Sequence, residues 1–291
     1  MEKNGLFNIV IYLGCYYTLS LLWCTFFAHS ENTWYTFTLF LQTISFNLAM
    51  YKNRQEFLKE RYDPVANRTI SYQGDPRLKV VLSFLAKSNS VFQVEAKNPV
   101  KLLDIGCYDG HIAFLLKNCL GNCEAYGIDI AKKTIALARQ KGIHAKICDI
   151  EKGVNFKSNL FDYVFAGEII EHLYDTDFFM REVKRILKPG GIFIVTTPNF
   201  VSLGRRLCYL FGKGIFMEQS FSLPEKAAGH IRYFTFETLK ELLLLHKFEP
   251  VAAFSDTVTF PGFLFDVPAK IFPTLGRSII SFSRNKKDKK G

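Results

Sequence analysis

Short apolar runs alternate with amphipathic stretches through the middle of the chain. Residues 101–105 form the first of these runs, and comparable runs follow at 126–129, 144–148 and 161–166. Short apolar runs of this kind are typical of strands that are buried on both faces, and the stretches between them have helical spacing. The alternation therefore predicts an α/β domain built on an open parallel sheet.

The first strand runs directly into a turn that contains two glycines. Gly106 and Gly110 can adopt backbone angles closed to other residues, and they allow a ligand to approach the main chain. The helix that follows, predicted over residues 112–117, offers unpaired N–H groups at its start. Tyr108 stands where the dinucleotide-binding pattern has its middle glycine, so a pyrophosphate would fit poorly. The turn indicates a different nucleotide-type cofactor.

Acidic residues stand at or just beyond the ends of four predicted strands. Asp104 is near the end of the first, Asp129 ends the second, Asp149 follows the third, and Glu168 comes just after the fourth. The carboxyl ends of parallel strands meet at one edge of a sheet, so these acids are expected around a single ligand. Asp129 is well placed to accept hydrogen bonds from both hydroxyls of a ribose. This arrangement favours adenosine as the ligand.

Together these features resemble the class I S-adenosylmethionine-dependent methyltransferases. The resemblance covers residues 100–255 and includes the Lys-Pro-Gly-Gly turn at 188–191 that leads into the fifth strand. It implies a Rossmann-like, doubly wound, mostly parallel seven-stranded sheet with helices on both faces, S-adenosylmethionine as cofactor, and methyl transfer as the reaction. It also implies a set of cofactor-binding residues: Asp104, Gly106, Cys107, Tyr108, Gly110, Asp129, Ile130, Asp149 and Ile150.

Within that set the resemblance implies separate roles. Asp104, Gly106 and Gly110 flank the methionine part of the cofactor, Asp129 binds the ribose, and Asp149 faces the adenine amino group. The alternative is that the glycines form an ordinary turn between strand and helix and that the acids are loop residues. Four such features, in the order of alternating strands and helices, favour the cofactor site.

The segment after the fourth strand carries the residues best suited to catalysis. Glu168, Glu171 and His172 are three and four positions apart, so we expect them to share one face of a helix and to be catalytic. With His230, which precedes a predicted helix capped by Thr235, they form a predicted site for Mg²⁺ or another divalent cation. Oxygen-rich ligation favours Mg²⁺ or Mn²⁺ over Zn²⁺. Alternatively, the glutamates begin a helix and His172 acts alone as a general base.

This pattern resembles two branches of the methyltransferases. Ubiquinone-biosynthesis O-methyltransferases have matching residues associated with a divalent ion, and small-RNA 3′-end 2′-O-methyltransferases hold magnesium with two glutamates and two histidines. The first branch predicts O-methylation, at a membrane surface, of a lipid, quinone-like or glycan-linked acceptor. The alternatives are an RNA 3′-end 2′-O-methyltransferase and a catalytically silent cofactor-binding module that anchors partners.

The first 51 residues form an apolar N-terminal segment. No Lys, Arg, Asp or Glu lies between Lys3 and Glu31, and the run over 6–28 is long enough to cross a bilayer. A second uncharged run, 32–51, is more polar, and the basic residues that follow it place that flank in the cytoplasm. We expect a helical membrane anchor with the catalytic domain in the cytoplasm. A soluble, aromatic-rich cap on the domain is the alternative.

Charge and cysteine content agree with this placement. The formal net charge is +10, and much of the excess lies just after residue 51 and in the tail 284–290, where basic residues suit an anionic membrane surface. The domain lacks a dense basic and aromatic surface, so nucleic acid is not expected as a partner. The seven cysteines are scattered, which indicates reduced thiols.

The remaining boundaries follow from these assignments. Residues 52–99 are a linker and a helix, beginning near Pro76, that covers the crevice. Residues 100–257 are the methyltransferase domain, with a lid insertion over 198–230. Residues 258–291 form an apolar and basic C-terminal extension.

The lid insertion contains two adjacent arginines and many aromatic residues. Arg205 and Arg206 bind a phosphate or carboxylate of the acceptor, or they lie on a solvated helix face. The aromatic content suits a lipid-linked acceptor, and a hydrophobic core would explain it equally well.

Overall fold

The computed structural model of the protein describes residues 75–88, 99–212, 229–260 and 263–286. The apolar N-terminal segment, most of the linker and the end of the basic tail lie outside the described residues, so the membrane anchor stays a prediction. Among the described residues, no helix is both long and apolar enough to span a bilayer. All cysteines in these ranges are free thiols, as the scattered set predicted.

The described residues form seven helices and nine strands, joined in places by short 3₁₀ turns. In chain order the helices and strands are α1 (Pro76–Ser88), β1 (Val100–Ile105), α2 (His111–Leu120), β2 (Cys123–Asp129), α3 (Lys132–Gln140), β3 (His144–Ile147), β4 (Phe161–Gly167), α4 (Thr176–Ile186), β5 (Leu187–Pro198), α5 (Leu203–Leu210), α6 (Phe236–Leu245), β6 (Phe248–Phe254), β7 (Val258–Phe260), β8 (Phe263–Phe265), α7 (Asp266–Ile271) and β9 (Ser278–Asn285).

Seven of the strands form one sheet in the order β3-β2-β1-β4-β5-β9-β6. The first five strands in sequence pair in parallel, and β9 is antiparallel to both of its neighbours. Strands β7 and β8 form a separate antiparallel pair. The predicted α/β fold with a mostly parallel seven-stranded sheet is confirmed. The order reverses between β1 and β4, which is where ligands bind in such sheets.

Strand β9 lies inside the sheet, although the sequence pattern predicts an extension outside the domain for residues 278–285. Phe282 pairs with Ile194 of β5 on one side and with Ala252 of β6 on the other. Ser281 and Ser283 are buried there, with their hydroxyl oxygens 3.5 Å apart. The domain therefore extends past the boundary expected at residue 257, because buried serines and a basic flank concealed a core strand.

Adjacent residues of each central strand face opposite helical layers. Leu102 packs with buried residues of α1, α2 and α3, whereas Leu103 packs with buried residues of α4 and α6. The same alternation holds for Tyr163 and Val164 in β4. Full burial of one such side chain stabilises the fold by roughly 1.5–3 kcal/mol. The two layers confirm the prediction of helices on both faces, and they hold the carboxyl ends of the strands in fixed positions.

Candidate functional site

The turn between β1 and α2 requires glycine at both ends. Gly106 and Gly110 have φ angles of 75° and 74°, in the left-handed region that favours glycine. A Cβ atom at Gly110 would lie 2.8 Å from the Cβ of Ala138, and one at Gly106 would collide with the side chain of Ile169. The second contact places the glycine turn against the segment that follows β4. Two parts of the site that the sequence predicted separately are thus in direct contact.

Tyr108, which replaces the commoner glycine, also has a left-handed backbone, with φ of 47°. Its N–H donates a 2.8 Å hydrogen bond to Oδ2 of Asp129, and the N–H of Ala131 donates to Oδ1 at 2.9 Å. The backbone thereby fixes the carboxylate at the end of β2. A carboxylate oxygen can accept more than one hydrogen bond, so Asp129 can still accept from the hydroxyls of a ligand.

Asp104 is a buried acid with an unsatisfied oxygen. The residue is 2% exposed, and within the described residues its Oδ2 has no hydrogen-bond partner. Burial raises the pKa of Asp104 well above its ordinary value, and the negative charges of Asp129 and Asp109 add to the effect. A buried acceptor without a donor is costly, and a ligand that donates to it would remove that cost. The geometry therefore suits a ligand at the glycine turn.

Asp149 lies next to the end of β2. The N–H of Cys148 donates to the carbonyl oxygen of Asp129 at 2.8 Å, which fixes the end of β3 beside that of β2. The side chain of Asp149 begins a short 3₁₀ turn by accepting a backbone N–H at 3.2 Å. Ile130 and Ile150, the residues after the two acids, are half-buried. Their contacts with adenine stay predictions.

Glu171, His172 and His230 form a cluster of metal-ligating side chains, in which one ligand atom from each lies within 4.8 Å of the others. Glu171 is 1% exposed, and its Oε2 accepts a 3.0 Å hydrogen bond from Thr197. Its Oε1 has no hydrogen-bond partner among the described residues and lies 3.9 Å from Nε2 of His230. Burial, followed by the charge of Glu168, raises the pKa of Glu171 well above its ordinary value. A cation here would satisfy the buried carboxylate.

Backbone contacts hold the two histidines in place around Glu171. Nδ1 of His172 lies 2.9 Å from the carbonyl oxygen of Gly229, so Nδ1 carries a proton, and in the neutral imidazole Nε2 is the nitrogen that can bind a cation or a proton. The N–H of Ile231 donates to the carbonyl oxygen of Glu171 at 2.9 Å, which fixes the loop that carries His230. The two imidazole centroids are 4.8 Å apart. These backbone contacts bring His230 next to Glu171 and His172, although His230 is far from them in sequence.

The loop that carries His230 is fixed at its other end by helix α6. Thr235 accepts a hydrogen bond from the N–H of Thr238 at 3.1 Å, and the hydroxyl of Thr238 accepts one from the N–H of Thr235 at 2.9 Å. This reciprocal pair is a capping box, which satisfies two backbone groups at once. The predicted cap at Thr235 is confirmed.

Glu168 is not a member of this cluster, and its carboxylate contacts other side chains. Between β4 and α4, helical structure is limited to the turn Ile170–His172, and Glu168 itself has φ of 56°. The expected common helical face is therefore wrong, because the chain leaves β4 through a left-handed residue. The carboxylate of Glu168 forms a 2.7 Å ion pair with Arg77 and accepts a 3.1 Å hydrogen bond from Thr196. Burial raises the pKa of Glu168, and these two contacts oppose the shift.

Arg77, in the first turn of α1, is a residue of the candidate site that no sequence motif indicates. Asp75 accepts its backbone N–H at 2.9 Å and pairs with its guanidinium at 3.0 Å, while another nitrogen reaches Glu168. The covering helix was predicted, but no sequence pattern shows that its start contacts the acid after β4. Thr196 and Thr197 were also missed. Their place at the carboxyl end of β5 is the signal that could have found them.

Comparison with known proteins places these features among methyltransferases. A protein-family model described as a methyltransferase domain matches residues 96–241. The mitochondrial ubiquinone biosynthesis O-methyltransferase of Mus musculus is 32% identical over 146 residues, 44% of this chain and 38% of that protein. The ubiquinone biosynthesis O-methyltransferase of Pelagibacter ubique is 35% identical over 107 residues, 34% and 42% of the two chains. The chain thus spans about two fifths of the length of these relatives.

Solved structures share the fold at low sequence identity. The methyltransferase solved in complex with the Trm112 activator of Haloferax volcanii has a TM-score of 0.53 at 13% identity, and the match covers 80% of this chain and 100% of that chain. A SAM-dependent methyltransferase from Thermotoga maritima has a TM-score of 0.50 at 20% identity, covering 78% and 99%. At these identities the likeness shows the fold alone.

Proposed function

This chain belongs to the methyltransferase domain family, and we propose that it transfers a methyl group from S-adenosylmethionine to an oxygen of its acceptor. The acceptor is a quinone-like, lipid or glycan-linked hydroxyl compound at a membrane surface. One observation carries the proposal: Ile169, which packs against Gly106 of the glycine turn, lies two residues before Glu171, and Glu171 forms the cluster with His172 and His230. A donor site and a hydroxyl-activating cluster in contact are what an O-methyltransferase needs for alignment.

The residues of the glycine turn fit S-adenosylmethionine. The unsatisfied Oδ2 of Asp104 suits a donor on the methionine part, and the fixed carboxylate of Asp129 suits two adjacent ribose hydroxyls. Gly106 and Gly110 keep the backbone open to the ligand. S-adenosylmethionine supplies the methyl group as an electrophile on a positively charged sulfur.

The donor set around Glu171 fits a divalent cation. Two imidazoles and one carboxylate converge, and the unsatisfied Oε1 of Glu171 supports a ligand between them. With Glu168 paired to Arg77, the set is richer in nitrogen than the sequence indicated, which suits Mn²⁺, Fe²⁺ or Zn²⁺ as well as Mg²⁺. A cation in this place supplies a Lewis acid that favours deprotonation of the acceptor hydroxyl.

The protein's own groups can also move the proton. The hydrogen bond from Nδ1 of His172 to the Gly229 carbonyl fixes the tautomer in which Nε2, when it holds no cation, can accept the proton of the acceptor hydroxyl. Thr197 orients Glu171 by donating to Oε2. A positioned general base contributes roughly 10²–10⁴-fold to a rate. The cluster therefore activates the hydroxyl while the glycine turn holds the methyl donor in line with it.

The class of acceptor has two lines of support. The relatives in Mus musculus and Pelagibacter ubique are O-methyltransferases of ubiquinone biosynthesis by name. In addition, the uncharged run over 6–28 has the length of a membrane segment, and basic residues follow the second run at 52–61. These features favour a catalytic domain held at the cytoplasmic face of a membrane, where a lipid-soluble acceptor is presented.

The test uses the full chain in liposomes with S-adenosylmethionine labelled in its methyl group. Separate reactions contain a prenylated catechol, a glycolipid and an RNA with a free 3′ end. We expect label in the catechol or the glycolipid, and loss of that label in the presence of a chelator if a cation is required. Label in RNA alone would contradict the proposed acceptor. Calorimetry with S-adenosylhomocysteine gives the control, because binding without any methyl transfer would indicate a silent cofactor-binding module.

A further inference from the structure

Arg205 and Tyr209 form a second polar group near the site, and the proposed chemistry does not use it. They are four positions apart on α5 and therefore share one face of the helix. The hydroxyl oxygen of Tyr209 is buried and has no hydrogen-bond partner within the described part of the chain. Arg205 donates a 2.7 Å hydrogen bond to the carbonyl oxygen of Asn199, and it forms no ion pair with any described carboxylate.

Within the described residues, no carboxylate in direct contact balances the positive charge of Arg205. Burial lowers the pKa of Arg205, as expected for a cation that loses water without gaining an anion. Glu168 acts on Arg205 only at longer range, and it is already paired with Arg77. A guanidinium remains protonated at neutral pH and has five N–H donors, and the described residues engage the guanidinium of Arg205 only through the carbonyl oxygen of Asn199.

Aromatic rings lie beside this pair and connect it to the catalytic cluster. The ring centroids of Phe200 and Tyr209 are 5.8 Å apart, and those of Phe200 and Tyr233 are 4.8 Å apart. The N–H of Phe200 donates to the carbonyl oxygen of Phe234 at 2.9 Å, which joins the loop after β5 to the loop that carries His230. A ring that contacts these aromatic residues would lie beside the loop that carries His230, because Tyr233 is three residues from His230.

We propose that Arg205 and Tyr209 bind an oxyanion, a carboxylate or a phosphate, attached to an aromatic or quinone-like ring of the acceptor. This inference rests on the proposed function, since it specifies the acceptor of the same site. A guanidinium binds either oxyanion through two parallel hydrogen bonds, and the hydroxyl of Tyr209 adds a third donor. The acceptor is then an acidic hydroxylated compound, with its oxyanion at Arg205 and its hydroxyl at the Glu171 cluster.

Arg206 provides a matched control for this proposal. It is exposed, and its guanidinium donates to the carbonyl oxygens of Val201 and Thr274. A general attraction of anions to a basic surface would involve both arginines. A specific binding site would involve Arg205 and not Arg206. The two arginines are adjacent, so substitution of either one changes the net charge of the same helix equally.

The experiment measures binding and does not depend on turnover. The full chain is saturated with S-adenosylhomocysteine and titrated with benzoate, phenyl phosphate or phenol in the wild type, R205Q, R206Q and Y209F. We expect one of the two anions to bind at least tenfold more tightly than phenol, about 1.4 kcal/mol. R205Q should lose this preference, R206Q should keep it, and Y209F should reduce it severalfold. Comparison of benzoate with phenyl phosphate identifies the oxyanion.

Equal binding of phenol and both anions, or an unchanged preference in R205Q, would overturn the subsite. If R205Q fails to bind S-adenosylhomocysteine, R205K and Y209F provide the test instead. R205K keeps the charge but loses the paired hydrogen bonds, so its affinity for the preferred anion should fall. Unchanged affinity in both variants would overturn the proposal. The proposed function fails separately, because anion binding through Arg205 without any methyl transfer would contradict only the enzymatic reaction.

Discussion

The proposed cofactor side, at Asp129 and the glycine turn, and the proposed acceptor side, at Glu171, His172 and His230, are held together in different ways. On the cofactor side, Asp129 accepts two backbone N–H groups, from Tyr108 and Ala131, and both oxygens of its carboxylate are in use. On the acceptor side, Glu171 accepts one hydroxyl, from Thr197, and its other oxygen has no partner among the described residues. The first side has its geometry fixed by the local backbone. The second depends on side chains from separate elements.

The difference has an energetic meaning. Backbone donors cannot be removed by a single substitution, so the ribose position should tolerate changes nearby. The buried carboxylate of Glu171 instead carries an unsatisfied oxygen, which costs about 1–3 kcal/mol until a donor or cation reaches it. The acceptor side thus gives up stability for reactivity, as catalytic sites commonly do. Four substitutions, ordered by expected effect, test this contrast.

Glu171→Gln should have the largest effect, because it replaces the carboxyl group at the centre of the acceptor side with an amide that is a poor ligand for a cation and cannot take up a proton. We expect the turnover number to fall about a thousandfold, within the range for loss of a general base or metal ligand, and the affinity for S-adenosylhomocysteine to stay within twofold. Steady-state kinetics and calorimetry measure the two quantities. Weakened cofactor binding in this variant would show that the two sides are not independent.

Asp129→Ala should affect the cofactor side alone. Hydrogen bonds to a charged group contribute roughly 1.5–3 kcal/mol, so loss of the ribose contact should weaken S-adenosylhomocysteine binding about a hundredfold. Calorimetry measures this change, and Asp149→Ala, which removes one predicted contact with adenine, should cost less. Unchanged affinity in Asp129→Ala would contradict the ribose assignment and remove the contrast between the two sides.

Asp104→Asn tests whether a ligand site on the cofactor side also costs stability. Burial raises the pKa of Asp104 above 3.8, so the folded state prefers the protonated acid. The contribution of the Asp104 carboxyl to the free energy of unfolding is fully present below the pKa of the unfolded state. It is lost as the pH rises through the pKa of the folded state. Asparagine does not titrate, so this variant should be more stable than the wild type by roughly 1–3 kcal/mol at pH 8. The gain should shrink toward pH 4.

Denaturant unfolding at the two pH values gives the stabilities in the Asp104→Asn comparison, and calorimetry gives cofactor affinity, which should fall. Equal stability of variant and wild type at pH 8 would mean that the buried oxygen of Asp104 is satisfied in the folded protein.

Thr197→Val should have the smallest effect. It removes the hydroxyl that orients Glu171, a contribution of roughly 0.5–1.5 kcal/mol, so turnover should fall by up to about tenfold. Thr196→Val is the matched control. Thr196 lies next to Thr197 on β5, but its hydroxyl donates to Glu168. The ratio of the two losses, measured by initial rates, shows which glutamate acts in the reaction. A larger loss in Thr196→Val would make Glu168 the principal acid.

Local patterns allowed prediction of the sheet, its two helical layers, the glycine turn and the Thr235 cap. Each depends on residues close together in sequence. Prediction failed where a contact joins residues far apart in sequence. Arg77 contacts Glu168 from a helix that precedes the sheet, and the hydrophobic periodicity of the sequence carries no information about such a contact. It failed again at Glu168, whose left-handed backbone ends the helical spacing that the sequence indicated. The grouping of Glu171, His172 and His230 followed from a family pattern, and propensity did not predict it.

The interior position of β9 has a consequence for synthesis of the chain on the ribosome. A nascent polypeptide that has reached residue 257 already contains all of the predicted cofactor-binding residues, yet the edge of β5 has no neighbour until residues 278–285 emerge. A long unpaired edge of backbone N–H and C=O groups promotes association with other chains. Translation products that stop before β9 should therefore aggregate, and chaperones should matter most during the interval before β9 is made.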